Sequence, residues 1–193
     1  LDPDIGYYED PVVVLDFASL YPALMIGWNL CYTTIVHDKK WMTNNPDKFE
    51  THCGVPFVKH STFKGIIPMV EEEMARQRKA AKKKMGTSNE ILKTNQKKLK
   101  LLKKFIVIKM DIVSEMDDKA FDEYINKYPD LDISTLTQER KDDIEKAMLM
   151  ISEYTVQVAI YDSEQLANKI IMNSLYGMLG SPMATVPCVE IAK

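Results

Sequence analysis

Cysteine, histidine, tryptophan and glycine are scarce in this chain, and long hydrophobic runs are absent. The three cysteines, Cys31, Cys53 and Cys188, are far apart in a chain of 193 residues, which argues against a disulfide framework and fits a reducing interior. No stretch approaches 18 consecutive apolar residues, so the sequence predicts no membrane span. The first residues have neither an initiator Met nor the order of a signal peptide, so we expect a piece of a longer intracellular protein.

Charge is distributed unevenly along the chain, although the formal net charge is only -3. Twelve Lys or Arg residues lie between Arg76 and Lys104, against the single acid Glu90. Between Asp111 and Lys146 the balance reverses to twelve acids and five bases. Because charge acts locally, the first segment is basic enough to contact phosphates and the second is not.

Apolar runs and breakers in the first third predict a strand, a short helix and a loop-rich region. Residues 12–15 form a β-branched apolar run that is typical of a buried strand, and this run ends at Asp16. Residues 19–27 predict a turn into a short helix. Residues 31–64 contain several turn formers, so they predict turns with short strands between them.

Two long helices are predicted in the rest of the chain. Pro68 opens the first, in which a thin apolar stripe runs along a charged rod. The Gly-Thr-Ser-Asn sequence at residues 86–89 should break this helix, which resumes near Glu90. The second helix should begin at the N-cap Ser163 and end near Gly180.

The turn after the predicted strand combines groups that suit a metal-bound triphosphate. Asp16 supplies a carboxylate for a divalent cation, and Ser19 supplies a hydroxyl beside backbone N–H groups. The ring of Tyr21 could lie under a sugar bound in the same turn. A lone Asp after a strand is also a common turn former, so Asp16 by itself leaves both interpretations open.

Arg78 and Lys82 lie four residues apart in the basic helix, so their cations project from one face. Neighbouring cations repel each other unless an anion lies between them, and a triphosphate has the required charge. The same spacing fits a solvated, lysine-rich face, which is the usual role of a charge run. The pattern alone leaves both interpretations open.

A polar stripe is predicted along the second helix. Its members stand at positions i, i+4, i+7 and i+8, and they are Lys169, Asn173, Tyr176 and Gly177. A cation that contacts phosphate, followed by a ring that packs on a base, is a sensible use of this face. A purely structural helix has less reason to place Gly beside Tyr in its interior.

Three segments resemble motifs of family B (polymerase alpha-like) DNA polymerases. Residues 16–22 resemble the D-x-x-S-L-Y-P motif, and residues 169–177 resemble the K-x-x-x-N-S-x-Y-G motif. Between them, the Gly-Ile-Ile-Pro sequence at residues 65–68, followed by Arg78 and Lys82, is similar to the family's first fingers helix. The three motifs occur in the family's order and cover a little under half of the chain.

The resemblance implies an α+β fold, in which part of a polymerase palm sheet carries a long antiparallel helical fingers hairpin with an insertion. The implied segments are a partial palm, a first fingers helix region, an insertion, a second fingers helix and a return to the palm. They span residues 1–64, 65–104, 105–150, 151–180 and 181–193, respectively.

The resemblance also implies a DNA-directed DNA polymerase, which uses primer-template DNA, deoxynucleoside triphosphates and two Mg²⁺ ions at a site of DNA replication. Asp16 and the carbonyl of Phe17 would bind metal, and Asp16 and Lys169 would be catalytic. Tyr21 would be the steric gate that excludes a ribose 2′-hydroxyl. The residues expected to contact or border the nucleotide are Ser19, Leu20, Tyr21, Arg78, Lys82, Lys169, Asn173, Tyr176 and Gly177. A processivity factor would be a further partner of the parent enzyme.

The chain departs from the family pattern in several places. Ala23 stands where the family usually has Ser, and the linker between the two fingers helices is longer than in a plain member. No Y-G-D-T-D-S sequence is present, so the second metal-binding carboxylate lies outside this chain, and we expect the chain alone to be inactive. Exonuclease and thumb regions are also absent. The sequence of residues 160–165 resembles the corresponding sequence in polymerases of large DNA viruses.

The sequence is also compatible with other functions. In a non-catalytic nucleic-acid-binding helical module, the basic helix would bind the phosphate backbone of the nucleic acid. Asp16 and Tyr21 would then have no special role. An RNA polymerase or reverse transcriptase shares the metal chemistry, but the bulky Tyr21 disfavours ribonucleotides. A zinc site lacks the standard ligand spacing in its only candidate set, Cys31, His37, His52 and Cys53.

Overall fold

The computed structural model describes residues 5–7, 9–11, 13–17, 19–104, 116–132, 134, 136–183, 188 and 191. Within these ranges the chain is mostly helical. The helices are α1 (Leu20–Gly27), α2 (Lys39–Asn44), α3 (Ile66–Leu102), α4 (Asp118–Ile125) and α5 (Gln138–Gly180). The strands are β1 (Phe49–His52) and β2 (Val55–Val58), and short 3₁₀ turns span Tyr32–Thr34 and Pro46–Lys48. No helix in the described ranges is long and apolar enough to cross a membrane.

The chain divides into two compact units. Unit 1 comprises Leu1–Glu73 and Met172–Lys193, and unit 2 comprises Met74–Ile171. The core of unit 1 is a cluster of buried side chains from α1, β2, the end of α5 and the residues that follow α1 and α5. Its members are Met25, Leu30, Phe57, Leu179, Cys188 and Ile191. In unit 2, a smaller cluster joins α3 and α4 through Leu101, Phe121 and Ile125.

The prediction of a strand at residues 12–15 is wrong for residues 13–15, which the structure describes. Residues 13–17 have no regular secondary structure, and the side chains of Val13 and Leu15 are 77% and 90% exposed. A β-strand needs a hydrogen-bonded neighbour, and no strand among the described residues pairs with this segment. Val12 lies outside the described residues. The sheet within the described residues is the two-stranded β1–β2 hairpin, so the α+β prediction is confirmed only as a mostly helical chain with a small antiparallel sheet.

The β1–β2 hairpin is antiparallel and pairs Phe49 with Val58 and His52 with Val55. Its two-residue turn consists of Cys53 and Gly54, whose φ angles are 50° and 82°. Positive φ at both central residues is the geometry that matches the twist of the flanking strands. The prediction of short strands between turns in residues 31–64 is thus confirmed, although helix α2 was not expected.

Helix α1 is confirmed close to its predicted bounds. Ser19 precedes it in the left-handed region, with φ 59° and ψ 58°. Pro22 lies in the first turn of the helix, where its missing N–H costs nothing. The helix ends at Gly27, and its buried face presents Pro22 and Met25 to the core of unit 1.

Asn29 joins three parts of unit 1 just after α1. Its Nδ2 donates to the carbonyls of Val58 and Phe63, each at 2.8 Å, and its Oδ1 accepts from the N–H of Gly65 at 2.8 Å. A side chain at Gly65 would place a Cβ only 2.6 Å from the Cβ of Cys31, so glycine is needed for this close approach. Asn29 thereby fixes the hairpin and the start of α3 against α1.

The predicted break of the first long helix at residues 86–89 is wrong, because α3 is continuous from Ile66 to Leu102. Ser88 is buried and its hydroxyl donates to Oε1 of Gln157 in α5 at 3.4 Å. A cation–π contact of Lys84 with the ring of Tyr161 lies one turn away. Packing against α5 therefore outweighs the weak local preference of the Gly-Thr-Ser-Asn sequence.

Helix α5 ends at Gly180 as predicted, but it begins at Gln138 instead of Ser163. The hydroxyl of Ser163 donates to the carbonyl of Ala159 inside the helix, at 2.8 Å, so Ser163 is not an N-cap. Within unit 2, the contacts between α3 and α5 follow an antiparallel order, from Lys84 with Tyr161 to Leu102 with Arg140. At the far end of this pair, Arg140 donates to the carbonyls of Leu102 and Lys104 at 2.9 and 2.8 Å.

Candidate functional site

Tyr21 and Tyr176 form a stacked pair in unit 1. Their ring centroids are 4.0 Å apart, and the ring planes differ by 8°. Tyr21 lies on α1 and Tyr176 lies near the end of α5, so the fold brings together residues of two separate motifs. Tyr21 remains 47% exposed, which leaves part of its ring accessible to a ligand.

Other predicted residues of unit 1 surround the ends of these two helices. Ser19 is half-buried before α1, and Leu20 is partly exposed at its first position. Asn173 and Gly177 are exposed on α5. A Cβ added at Gly177 would meet nothing within 4 Å, so the described residues leave open space beside this backbone. A ligand could approach the α5 backbone closely at Gly177.

Asp16 and Phe17 are exposed in the segment before α1. A carboxylate and a backbone carbonyl are hard oxygen donors of the kind that Mg²⁺ prefers. Among the described residues, no group of three or more His, Cys, Asp or Glu side chains could hold a metal ion. The donors therefore fit Mg²⁺ in kind, and they would make up only part of its coordination shell.

Arg78 is half-buried on α3 in unit 2. Its Nε is buried and has no hydrogen-bond partner among the described residues. A buried guanidinium nitrogen without an acceptor is costly, and an oxygen of an anion such as phosphate would satisfy it. Lys82, one turn further along α3, is exposed, as is Lys169 on α5.

The distal lysines of α3 bind carboxylates of the acidic segment. Nζ of Lys97 lies 3.1 Å from Asp118, and Nζ of Lys100 lies 2.6 Å from Asp122. The hydrogen bond from Lys97 lowers the pKa of Asp118 below its usual value, and the nearby charges of Lys97 and Lys93 lower it further. Helix α4 thus covers part of the basic face that the sequence had suggested for phosphate contacts.

A pocket beside the tyrosine pair was not predicted. A second stacked pair, Trp28 and His52, has centroids 4.5 Å apart and an interplanar angle of 6°. Both pairs line an apolar pocket in unit 1, which also reaches the core residues Met25, Leu30 and Phe57. No local sequence pattern links Trp28 to His52, because the hairpin must first fold back onto α1.

Glu71 is a second unpredicted feature, on α3 in unit 1. Its side chain is fully buried, and neither carboxylate oxygen has a hydrogen-bond partner among the described residues. Burial raises the pKa of Glu71 to about 7. Glu71 is the first of three consecutive acidic residues, and its neighbour Glu72 pairs with Lys64. Nothing in this run of acids indicates which of them is buried.

Comparison with known proteins shows similarity along most of this chain. Residues 1–108 and 131–193 match the family model described as DNA polymerase family B. The unmatched residues, 109–130, lie within the segment predicted to be an insertion.

The chain is similar along its whole length to catalytic subunits of DNA polymerase delta. It is 31% identical over 195 residues to those of Glycine max and Arabidopsis thaliana, and 27% identical over 193 residues to that of Caenorhabditis elegans. Each alignment covers 100% of this chain and 12% of the relative's length. These relatives are cellular, so they give the expected viral source no support.

Proposed function

This chain belongs to DNA polymerase family B, and from that premise we propose that it binds the incoming deoxynucleoside triphosphate and part of the catalytic metal site of a DNA-directed DNA polymerase. The polymerase would extend a primer on template DNA and release pyrophosphate. The chain spans 12% of the length of the relatives that it matches, so the whole reaction is proposed for a polymerase that contains it.

The stacking of Tyr21 on Tyr176 is the observation that carries this proposal. In the proposed site, the Tyr21 ring fills the space that a ribose 2′-hydroxyl would need. Tyr176 holds the ring in place from one side, and Tyr176 and Gly177 border the nascent base pair. Aromatic pairs of this kind contribute about 0.5–1.5 kcal/mol beyond the burial of area, which favours the stacked orientation of the ring.

Arg78, Lys82 and Lys169 would bind the triphosphate. The buried, unsatisfied Nε of Arg78 supports this role, because it needs an acceptor that the described residues do not supply. Lys82 and Lys169 are exposed and carry mobile cations that can follow the phosphates. Lys169 would act as a catalytic residue by neutralising the charge that develops on the leaving pyrophosphate. Asn173 would support the same site.

Asp16 and the carbonyl of Phe17 would hold Mg²⁺, and Ser19 and Leu20 would contact the triphosphate beside them. When bound, two Mg²⁺ ions activate the primer 3′-oxygen and stabilise the leaving phosphate. Asp16 would contribute the negative charge of a carboxylate just before the turn that leads into α1. The second carboxylate would come from a part of the polymerase outside this chain.

The rival function, a helical module that only binds a nucleic-acid backbone, is less well supported. Such a module needs free cations, but Lys97, Lys100 and Lys104 each lie within 3.1 Å of an aspartate oxygen. The rival also gives no role to the stacked pair of Tyr21 and Tyr176. Binding of backbone alone would depend on salt and on the total number of basic residues.

Sugar discrimination tests the proposal. In a polymerase that contains this chain, Tyr21→Val should admit ribonucleotides, because the clash with the 2′-hydroxyl is removed, while use of deoxynucleotides should change comparatively little. The measurement is the ratio of kcat/KM for a deoxynucleotide to that for the matching ribonucleotide. Tyr154→Val, at a half-buried tyrosine of α5 in unit 2, is the control and should leave the ratio unchanged.

Two outcomes of this experiment are decisive. A lower ratio in Tyr21→Val alone supports the gate and the nucleotide site. An unchanged ratio with a general loss of activity would mean that Tyr21 is a packing residue, because a cavity harms the use of both sugars alike. That outcome would overturn the proposed role of the tyrosine pair.

A further inference from the structure

We propose that the pocket beside the two stacked pairs is a binding site for a small ligand with a single aromatic ring. This pocket shares Tyr21 and Tyr176 with the nucleotide contacts proposed above, but the inference does not depend on the proposed function. It rests on the size, the lining and the accessibility of the pocket, all of which belong to unit 1.

The walls of the pocket are aromatic on two sides. Tyr21 with Tyr176 forms one stacked pair, and Trp28 with His52 forms the other. The ring of Phe57 also lies 6.3 Å from that of His52, tilted by 34°. Flat rings that already lie parallel or tilted to one another offer faces and edges to a further ring.

The inner surface of the pocket is formed by the core. Met25 and Phe57 are almost fully buried, and Leu30 and Ile191 are buried beside them. These side chains cannot turn away without disrupting the core of unit 1. The inner surface is therefore formed by buried core residues of α1 and β2 and of the segments that follow α1 and α5.

The volume of the pocket sets the size of the ligand. It is about 120 Å³, whereas a cavity of about 150 Å³ lined by Leu, Ile and Phe binds benzene. The enclosed space is therefore of the order that a single six-membered ring occupies. The lining is mainly hydrophobic, with His52 and Cys53 as its polar members besides the two tyrosines. The ligand class is therefore one apolar aromatic ring that carries at most one small polar group.

Access to the pocket is indicated by the exposure of its outer residues. Trp28 and Tyr21 are 43% and 47% exposed. Cys53, in the hairpin turn, is exposed, whereas Cys31 and Cys188 are buried. A ligand in the pocket would shield the thiol of Cys53, and this thiol provides a chemical readout that needs no enzymatic activity.

Benzene binding to the 193-residue chain is the first test. Benzene should shift the backbone amide signals of Trp28 and Cys53 in a saturable manner, and cyclohexane should do so about tenfold more weakly, because it lacks a π face. Leu24→Phe adds a ring to the pocket lining and should weaken benzene binding by about tenfold or more. Ile26→Phe, on the same helix but outside the pocket, is the matched control and should bind like the wild type.

Alkylation of Cys53 by iodoacetamide is the second test. The thiolate displaces iodide and forms a thioether, so the rate follows the access of the reagent to the sulfur. Saturating benzene should slow this reaction several-fold in the wild type and in Ile26→Phe. It should have no effect on the rate in Leu24→Phe, and Cys53→Ser identifies the site of labelling.

The outcomes separate the alternatives. Saturable shifts and protection of Cys53, both lost in Leu24→Phe, support the site. Equal binding of benzene and cyclohexane would overturn the aromatic specificity. Absence of shifts and of protection in the folded wild type, checked by circular dichroism, would overturn the site itself. If Leu24→Phe does not fold, the comparison of benzene with cyclohexane on the wild type still tests whether the pocket prefers an aromatic ring.

Discussion

The ring of Tyr176 lies parallel to the ring of Tyr21 at a centroid distance of 4.0 Å, although the two residues stand on different helices. This contact covers one face of the proposed gate. A gate discriminates only when its ring is held against the incoming sugar, because a mobile ring would yield to a 2′-hydroxyl. Tyr176 therefore has a positioning role in this proposal.

Replacement of Tyr176 should weaken sugar discrimination without removing the gate. In a polymerase that contains this chain, Tyr176→Leu should lower the ratio of kcat/KM for deoxynucleotide over ribonucleotide by about two- to tenfold, the equivalent of a lost aromatic pair. Tyr176→Phe keeps the ring and should restore the ratio. The positioning role fails if Tyr176→Phe and Tyr176→Leu behave alike.

Removal of Arg78 should weaken the use of the nucleotide. A charge-assisted contact with phosphate contributes roughly 1.5–3 kcal/mol, so Arg78→Ala should lower kcat/KM for the nucleotide by about ten- to a hundredfold. Lys79→Ala is the control, because Lys79 is an exposed neighbour that points away from Arg78 on the same helix. Steady-state incorporation assays measure both effects. Equal losses in the two variants would favour a general electrostatic role for the helix.

The buried carboxyl of Glu71 should make the stability of the chain depend on pH. Because the pKa of Glu71 is raised to about 7 in the folded state, the folded chain retains a proton that the unfolded chain releases near pH 4.5. Its contribution to the free energy of unfolding is therefore most favourable below pH 4.5 and is lost as the pH rises towards 7.

Glu71→Gln should remove this pH dependence. The variant should be more stable than the wild type at pH 8, on the order of 1–3 kcal/mol, which is the typical cost of a buried polar group without partners. At pH 5 the difference should be small. Denaturant unfolding of both chains at the two pH values measures it, and Glu90→Gln, at an exposed site on α3, is the control. A difference that is the same at pH 5 and pH 8 would contradict the assignment.

Neutralising Asp118 should loosen α4 from α3. The carboxylate binds Lys97 at 3.1 Å and Lys93 at 3.8 Å, so Asp118→Asn should speed hydrogen exchange of the α4 amides. The lowered pKa of Asp118 means that its contribution is present above its ordinary pKa of 3.8 and is lost as the pH falls below that value.

The matched variant on the same helix is Glu123→Gln, at an exposed position that no ion pair of the described residues involves. It should leave the exchange rates unchanged. High salt should reproduce the effect of Asp118→Asn in the wild type, because exposed ion pairs are screened. If Asp118→Asn exchanges no faster than Glu123→Gln and the wild type, hydrophobic packing of Phe121 holds α4 in place and the ion pairs do not.

The sequence by itself determined the family and supplied the site residues that are proposed here. The order of the three motifs predicted the polymerase class, and the family match agrees with it. Local rules also predicted α1 and the end of α5 at Gly180, because each depends on residues close in sequence. A turn into a helix and a glycine after a helix need no distant partner.

Only the tertiary structure decided the contacts between distant segments. The stacking of Tyr21 on Tyr176 and of Trp28 on His52 depends on how separate elements pack, and no short window contains both members of either pair. The same applies to residues 86–89, where contacts with α5 outweigh a local preference of about 1 kcal/mol for a break. The exposed segment before α1 shows the converse, because a sequence that favours a strand forms one only when a neighbouring strand supplies its hydrogen bonds.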